Sequence, residues 1–140
     1  MRRVLADGYE LDDDRTRVDL REVHRVLSTE CYWALGRSYA RMEDLVAGAA
    51  RVVGLYRDDE QVGFARVVSD GLSLAYLADV FVAAPHRRRG LGLELVREAV
   101  DHGPHRDLRW MLHTHDMQGL YARLGFAVPA RPALERPPRD

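Results

Sequence analysis

Apolar positions recur first at helical spacing and then in alternation, and the switch between the two periods divides the chain into elements. Gly8-Tyr9-Glu10-Leu11 reads as a short strand, and the acidic Asp12-Asp13-Asp14 after it as a solvated turn. Leu20, Val23, Val26 and Leu27 form a helical stripe, capped by Asp19 with Glu22 three positions on as its box partner. Ser38 caps a second helix with the stripe Met42, Leu45, Val46 and Ala49. From Arg51 the pattern is that of strands, over 52–56, 62–68 and 74–82, separated by the turn signals Asp58-Asp59-Glu60 and Asp70-Gly71. They predict an antiparallel meander, its third strand almost continuously apolar and therefore central. Leu91, Leu95, Val96, Ala99 and Val100 then share one face of a helix, with Glu94, Arg97, Glu98 and Asp101 predicted to face water, and His102-Gly103-Pro104 stops it.

Leu108 to Leu112 reads as a strand that returns alongside the third one after a helical crossover, hence parallel to it. Thr114-His115-Asp116 caps a last helix, with Met117, Leu120, Tyr121 and Leu124 on one face and Gly125 at its end. Phe126-Ala127-Val128 is expected to open a final strand. The tail, 129–140, holds four of the six prolines and is expected to be partly disordered, with at most a brief pairing at Leu134-Glu135-Arg136.

A length of 140 residues predicts one domain, 1–140, with a core of useful size, and 46% hydrophobic with 31% charged residues predicts a globular chain. The formal net charge of -1 gives no bulk attraction to nucleic acid or to a membrane surface. No apolar run approaches the roughly 20 residues that span a bilayer, and a cytoplasmic location is expected. Cys31, the one cysteine, excludes an internal disulfide and a cysteine metal cluster. Lysine, asparagine and isoleucine are absent, so all 21 cationic side chains are arginine, as in a protein encoded by a GC-rich genome. Their number therefore says little, but their guanidinium forks can grip oxyanions bidentately.

The candidate chemistry sits between the third long strand and the helix after it. Val80-Phe81-Val82 runs through Pro85 into Arg87-Arg88-Arg89-Gly90-Leu91-Gly92-Leu93. The first amides of a helix have no intrahelical partner and carry the positive end of its dipole, and glycines there let a ligand approach the backbone. Together with the arginines they make a phosphate site. No lysine follows, as a nucleoside-triphosphate loop would require, and the dinucleotide spacing of glycines is absent. A plain strand-to-helix turn with a solvated arginine run is the competing reading.

The Arg-x-x-Gly-x-Gly pattern of Arg87, Gly90 and Gly92 resembles the acyl-coenzyme A loop of the GNAT acetyltransferases. Gly119-Leu120-Tyr121-Ala122-Arg123-Leu124-Gly125-Phe126 is similar to the family's Leu-Tyr-x-x-x-Gly-Phe segment, and the predicted order of elements is the family's order. The resemblance covers nearly the whole chain. It implies an α+β, three-layer (α/β) acyl-CoA acyltransferase fold, a mixed and mainly antiparallel central sheet flanked by helices. It further implies an acetyl-CoA-dependent N-acetyltransferase that acts on a primary amine, of a small molecule or a protein, by direct attack on the thioester.

By that resemblance the amides of Arg88, Arg89, Gly90, Leu91, Gly92 and Leu93 hold the pyrophosphate, with Arg87 at the defining position of the loop. Val80, Phe81 and Val82 line the cofactor arm, Val80 offering its backbone to the oxyanion. Tyr121 is the general acid beside the sulfur; its spacing alone fits a packed core tyrosine equally. The base is open between Glu30, Asp79, His24 and His113, each of which also has a purely structural explanation. Tyr32, Trp33 and Arg37 shape an acceptor pocket, unless the two rings plug the core, and Arg37 hints at an anionic group on the substrate or forms a surface ion pair. The spacing of His113, His115 and Asp116 is not read as a metal site, and no metal is expected. Relatives often carry a small residue or glycine at position 88, where Arg88 still supplies its amide, and an asparagine near Thr114, whose absence here leaves one contact to the cofactor arm unassigned. The alternative function is a catalytically weak acyl-CoA-binding sensor or interaction module on the same fold. Dimerisation through the last strands is left open.

Overall fold

Alternation in the middle of the chain becomes a six-stranded sheet in the computed structural model, which describes residues 1–139. The strands lie side by side in sequence order: β1 (Arg2–Val4), β2 (Tyr9–Asp12), β3 (Arg51–Arg57), β4 (Glu60–Ser69), β5 (Leu74–Val82) and β6 (Arg109–Met111). All neighbours are antiparallel except β5 and β6, which run parallel across the connection made by α3 (Leu91–Asp101).

The other helices are α1 (Leu20–Glu30), α2 (Tyr39–Gly48) and the short α4 (Gln118–Ala122). Asp19 caps α1 by accepting from the Glu22 amide, and Ser38 caps α2 by accepting from the Arg41 amide. The return half of the predicted capping box does not form. Gln61 Oε1 takes the Asp19 amide at 2.7 Å, and the Glu22 carboxylate turns to Arg25.

Two apolar clusters divide at the sheet. Leu91, Leu95, Val96, Ala99 and Val100 of α3 pack on Val53, Leu55, Val67 and Leu77. Val23, Val26 and Leu27 of α1 and Met42 and Val46 of α2 pack on Val52, Phe64 and Phe81 from the opposite side. The result is the expected three-layer α+β architecture, helices on both faces of a mixed sheet.

Several expectations change. β1 was not foreseen, because three residues with only Arg3 half-buried carry almost no alternation. Glu98 was expected to face water and is instead 2% exposed, its charge met by Arg3 and Arg51. No strand follows β6 among the described residues. Phe126 packs its ring on Tyr121 at 5.9 Å, and Val128 projects into solvent, so the predicted last strand finds no partner. Asp140, the end of the tail, lies outside the described residues.

One irregularity positions everything that follows. Phe64 pairs with Phe81 but Arg66 pairs with Ala78, so β5 has one residue more than β4 across this stretch. The bulge is at Asp79, whose φ is 56°. It reverses which residues face each side: Ala75 and Leu77 pack toward α3 before it, Val80 and Val82 after it, and Phe81 joins the α1–α2 side.

Candidate active site

The loop between β5 and α3 presents its backbone to solvent. Gly90, at φ 76°, caps α3 from the left-handed region, which a glycine adopts without strain, and Arg88 has φ 66°. None of the amides from Arg88 to Leu93 has a hydrogen-bond partner among the described residues; the Glu94 amide is the first to bond back, to Gly90. Gly92 has a different role. A methyl group there would meet only Leu120 Cδ1, at an ordinary 3.5 Å, so the fold itself does not demand a glycine. Arg87 is folded back, its Nε donating to the Val82 carbonyl at 2.8 Å, which leaves Arg88 and Arg89 as the outward cations of the loop.

Beside the loop, the sheet opens. Pairing of β5 with β6 runs only from Leu74↔Arg109 to Tyr76↔Met111, so among the described residues Leu77 to Val82 lack a strand on that edge. The Ala83 amide donates to Val62 on β4 at 2.7 Å, and alternation turns the Val82 and Val80 amides the other way, into the gap. An open edge of this kind offers a row of donors and acceptors to any extended ligand.

A cavity of about 350 Å³ occupies the space between the separating strands, walled by Tyr76, Val80, His113, Tyr121 and the loop residues Tyr32 and Trp33. Both loop rings are substantially exposed and stack edge to face at 5.2 Å, which places them on the cleft rather than in the core. Arg37 and Arg66 also line it. They converge on Asp79, which the bulge turns toward them: Arg37 Nη1 donates to Oδ2 at 2.9 Å, Arg66 Nε to the same oxygen at 2.8 Å, and Trp33 Nε1 to Oδ1 at 3.0 Å. Burial would push the Asp79 carboxyl upward, but Arg66 and Arg37 outweigh it and hold the group below the usual carboxylate range.

Tyr121, on α4, lines the same cavity and packs against the α3-side cluster. Its hydroxyl has no hydrogen-bond partner among the described residues, and burial, with Tyr32 nearby, raises its pKa above the ordinary tyrosine value. The four base candidates separate spatially. Glu30 ends α1 and faces Arg25 at 3.3 Å, and His24 Nε2 lies 2.8 Å from the Arg37 carbonyl; neither lines the cavity. Asp79 lines it but is committed to three donors. His113 lines it too, with Nδ1 on the Tyr76 hydroxyl and Nε2 at 3.1 Å from Glu135.

Arg66 and Tyr76 were not singled out from sequence. Each stands on a strand whose polar positions ordinarily face water, and the available signal was a lone arginine in one apolar strand opposite a lone aspartate in the next.

The model of the acetyltransferase (GNAT) family matches residues 14–126 of this chain. A crystal structure from Xanthomonas campestris pv. campestris, described as a candidate acetyltransferase of that family, is 37% identical and superposes with a TM-score of 0.87, covering 91% of this chain and 92% of the other. A candidate acetyltransferase from Deinococcus radiodurans R1 shares the fold, with a TM-score of 0.74 at 24% identity over 97% of this chain and 94% of that one. A Gibberella zeae protein named as a candidate acetyltransferase is 37% identical over 67 residues, and the match spans 46% of this chain and 37% of that protein's length.

Proposed function

The chain belongs to the acetyltransferase (GNAT) family, and on that premise we propose that it transfers an acetyl group from acetyl-CoA to a primary amine. The observation that carries this reading is the run of unpartnered amides from Arg88 to Leu93 beside the open β5 edge. The residues present fit a diphosphate joined to an extended arm. The loop amides and the α3 dipole favour the charged group, Gly92 leaves room for its approach, and the edge from Leu77 to Val82 accepts the arm as an added strand.

In this reading the amine nitrogen attacks the acetyl carbonyl carbon, the carbon–sulfur bond breaks, and the thiolate leaves. The Val80 amide faces the developing oxyanion; one such donor is worth about 2.7 to 4 kcal/mol. Tyr121 gives its proton to the departing sulfur, a role that its raised pKa suits because the phenol remains protonated at neutral pH. His113 receives the proton of the amine through Tyr76, whose oxygen takes the amine's proton as its own passes to Nδ1, and Glu135 steadies the imidazole at Nε2. Asp79 organises cations and takes no proton.

The test is calorimetry with coenzyme A, followed by thiol release from acetyl-CoA across a panel of primary amines. Saturable heat together with amine-dependent thiol release is the expected result. Absence of heat at millimolar coenzyme A overturns the reading, and binding without turnover of any amine favours the acyl-CoA-binding module instead.

A further inference from the structure

The acceptor's chemistry is written in the charge balance around Asp79. Two guanidinium groups meet one carboxylate, which already accepts three hydrogen bonds: Oδ2 takes Arg37 and Arg66, Oδ1 takes Trp33. Arg66 uses Nε alone, so both its terminal nitrogens lack partners among the described residues. Arg37 uses Nη1, for Asp79 and for a 3.6 Å contact with Met42 Sδ, which leaves Nη2 and Nε. The side chains are only 12% and 15% exposed, and both line the cavity.

One positive charge is thus left over on a mostly dehydrated wall that also bears aromatic rings. The other ionisable groups on the cavity do not cancel it there: Asp116 is exposed at the rim, and His113 is engaged by Tyr76 and Glu135, while His115 stacks on Tyr32 at 5.2 Å. A guanidinium with two parallel donors in such a place matches a carboxylate bidentately.

We propose that the amine acceptor carries a carboxylate on the same small molecule, and that Arg66, assisted by Arg37, is the residue that selects it. The inference rests on the acetyl-transfer reading and adds the class of acceptor, an amino acid or a related amino carboxylate. The reaction is unchanged: a carbon–nitrogen bond forms as the carbon–sulfur bond breaks, and the amine's proton goes to the base while the thiolate is protonated by the acid. The carboxylate takes no part in the chemistry and serves to hold the amine in place. A hydrogen-bonded charge pair of this kind corresponds to roughly tenfold to a hundredfold discrimination.

The experiment compares amino acids with their carboxamides, which keep the amine and lose the charge. With wild-type protein, kcat/KM is expected to favour the acids by at least about tenfold. Arg66→Gln should abolish that preference, the loss falling on KM for the acids, and Arg66→Lys should recover part of it. Equal use of acid and carboxamide by the wild type overturns the proposal while leaving acetyl transfer intact. So does preference for a phosphate-bearing amine over a carboxylate-bearing one.

Because Arg66→Gln also removes a partner of Asp79 and can impair folding, a second measurement uses the wild type alone. N-acetylated amino acids, added with coenzyme A, should raise the melting temperature more than their carboxamides do. Absence of any difference overturns the proposal. A difference without turnover of any amine supports the acidic-group site and refutes the transfer reading.

Discussion

Arg51 donates from Nη2 to Oε2 of Glu98 at 3.0 Å, with the two side chains only 6% and 2% exposed. The pair ties the start of β3 to the middle of α3. Arg3 adds a second donor to Glu98 at 2.7 Å, and Arg51 also reaches Asp13 at 3.1 Å and the Glu98 carbonyl at 2.9 Å. Removing Glu98 leaves the Arg51 guanidinium buried with only the less buried Asp13 as counter-charge, which costs on the order of 3 kcal/mol, the low end of the range for a broken buried pair. Glu98→Ala should therefore lower stability by that amount in urea denaturation, while the double replacement Arg51→Met with Glu98→Leu should recover much of the loss. A single-variant effect below about 1 kcal/mol would contradict the burial of this pair.

The cluster at Asp79 sets a pH dependence of stability. Its carboxyl is held below the 3.8 of an unfolded aspartate because the attraction of Arg66 and Arg37 exceeds the penalty of burial. A depressed native pKa means that the native state binds the proton less readily than the unfolded state. The associated stability is complete above 3.8 and is lost as pH falls through the lower native value. Asp79→Asn should be less stable near neutrality, on the order of 3 kcal/mol, and its stability should fall less steeply on acidification than the wild type's. Parallel acid-denaturation slopes for the two proteins would refute this account.

The same cluster marks the limit of what the sequence makes legible. Helix stripes, the caps at Asp19 and Ser38 and the turns at Asp58-Asp59 and Asp70-Gly71 are local signals, and the elements they predict are present at nearly the predicted bounds, whereas α4 starts only at Gln118, after Met117 and without the side-chain cap expected from Thr114 to Asp116. The β5–α3 loop is equally local, since Gly90 and Gly92 announce themselves by type and spacing. Glu98 is different: its burial depends on Arg3 and Arg51, which stand far away in the chain and show no pattern with it. The bulge at Asp79 is invisible for a related reason. A strand's period shifts there by one residue, and only the pairing with β4 reveals that Arg66, Arg37 and Trp33 meet one carboxylate.

Tyr121 offers a test in which stability and catalysis separate. Its hydroxyl has no hydrogen-bond partner among the described residues, so Tyr121→Phe breaks no hydrogen bond of the resting protein and should change stability by less than about 0.5 kcal/mol. If the hydroxyl protonates the leaving thiolate, kcat should fall by roughly a hundred- to ten-thousand-fold, with coenzyme A affinity unaltered. The pH profile supplies a second readout. Burial lifts the phenol above 10, so wild-type activity limited by this acid should decline only on the alkaline side of that value, and the limb should vanish in the variant. A variant that keeps its rate would move the acid elsewhere in the cavity.

Gly92 distinguishes a glycine kept for the fold from one kept for a ligand. Gly90 has φ 76°, and Gly90→Ala should destabilise the protein by about 1 kcal/mol through strain alone. Gly92 lies in the first turn of α3 with ordinary helical backbone, and an added methyl meets only Leu120 Cδ1 at 3.5 Å. On propensity alone, Gly92→Ala should leave the protein as stable as before or more stable by up to about 1 kcal/mol. The methyl would nevertheless stand on the surface where the loop amides face outward, and a diphosphate must come close to that backbone to use them. Coenzyme A affinity should therefore drop by about tenfold or more in calorimetry while the melting temperature holds or rises, opposite movements that a purely structural glycine would not produce. Unchanged affinity in a well-folded Gly92→Ala protein would remove the diphosphate from this loop.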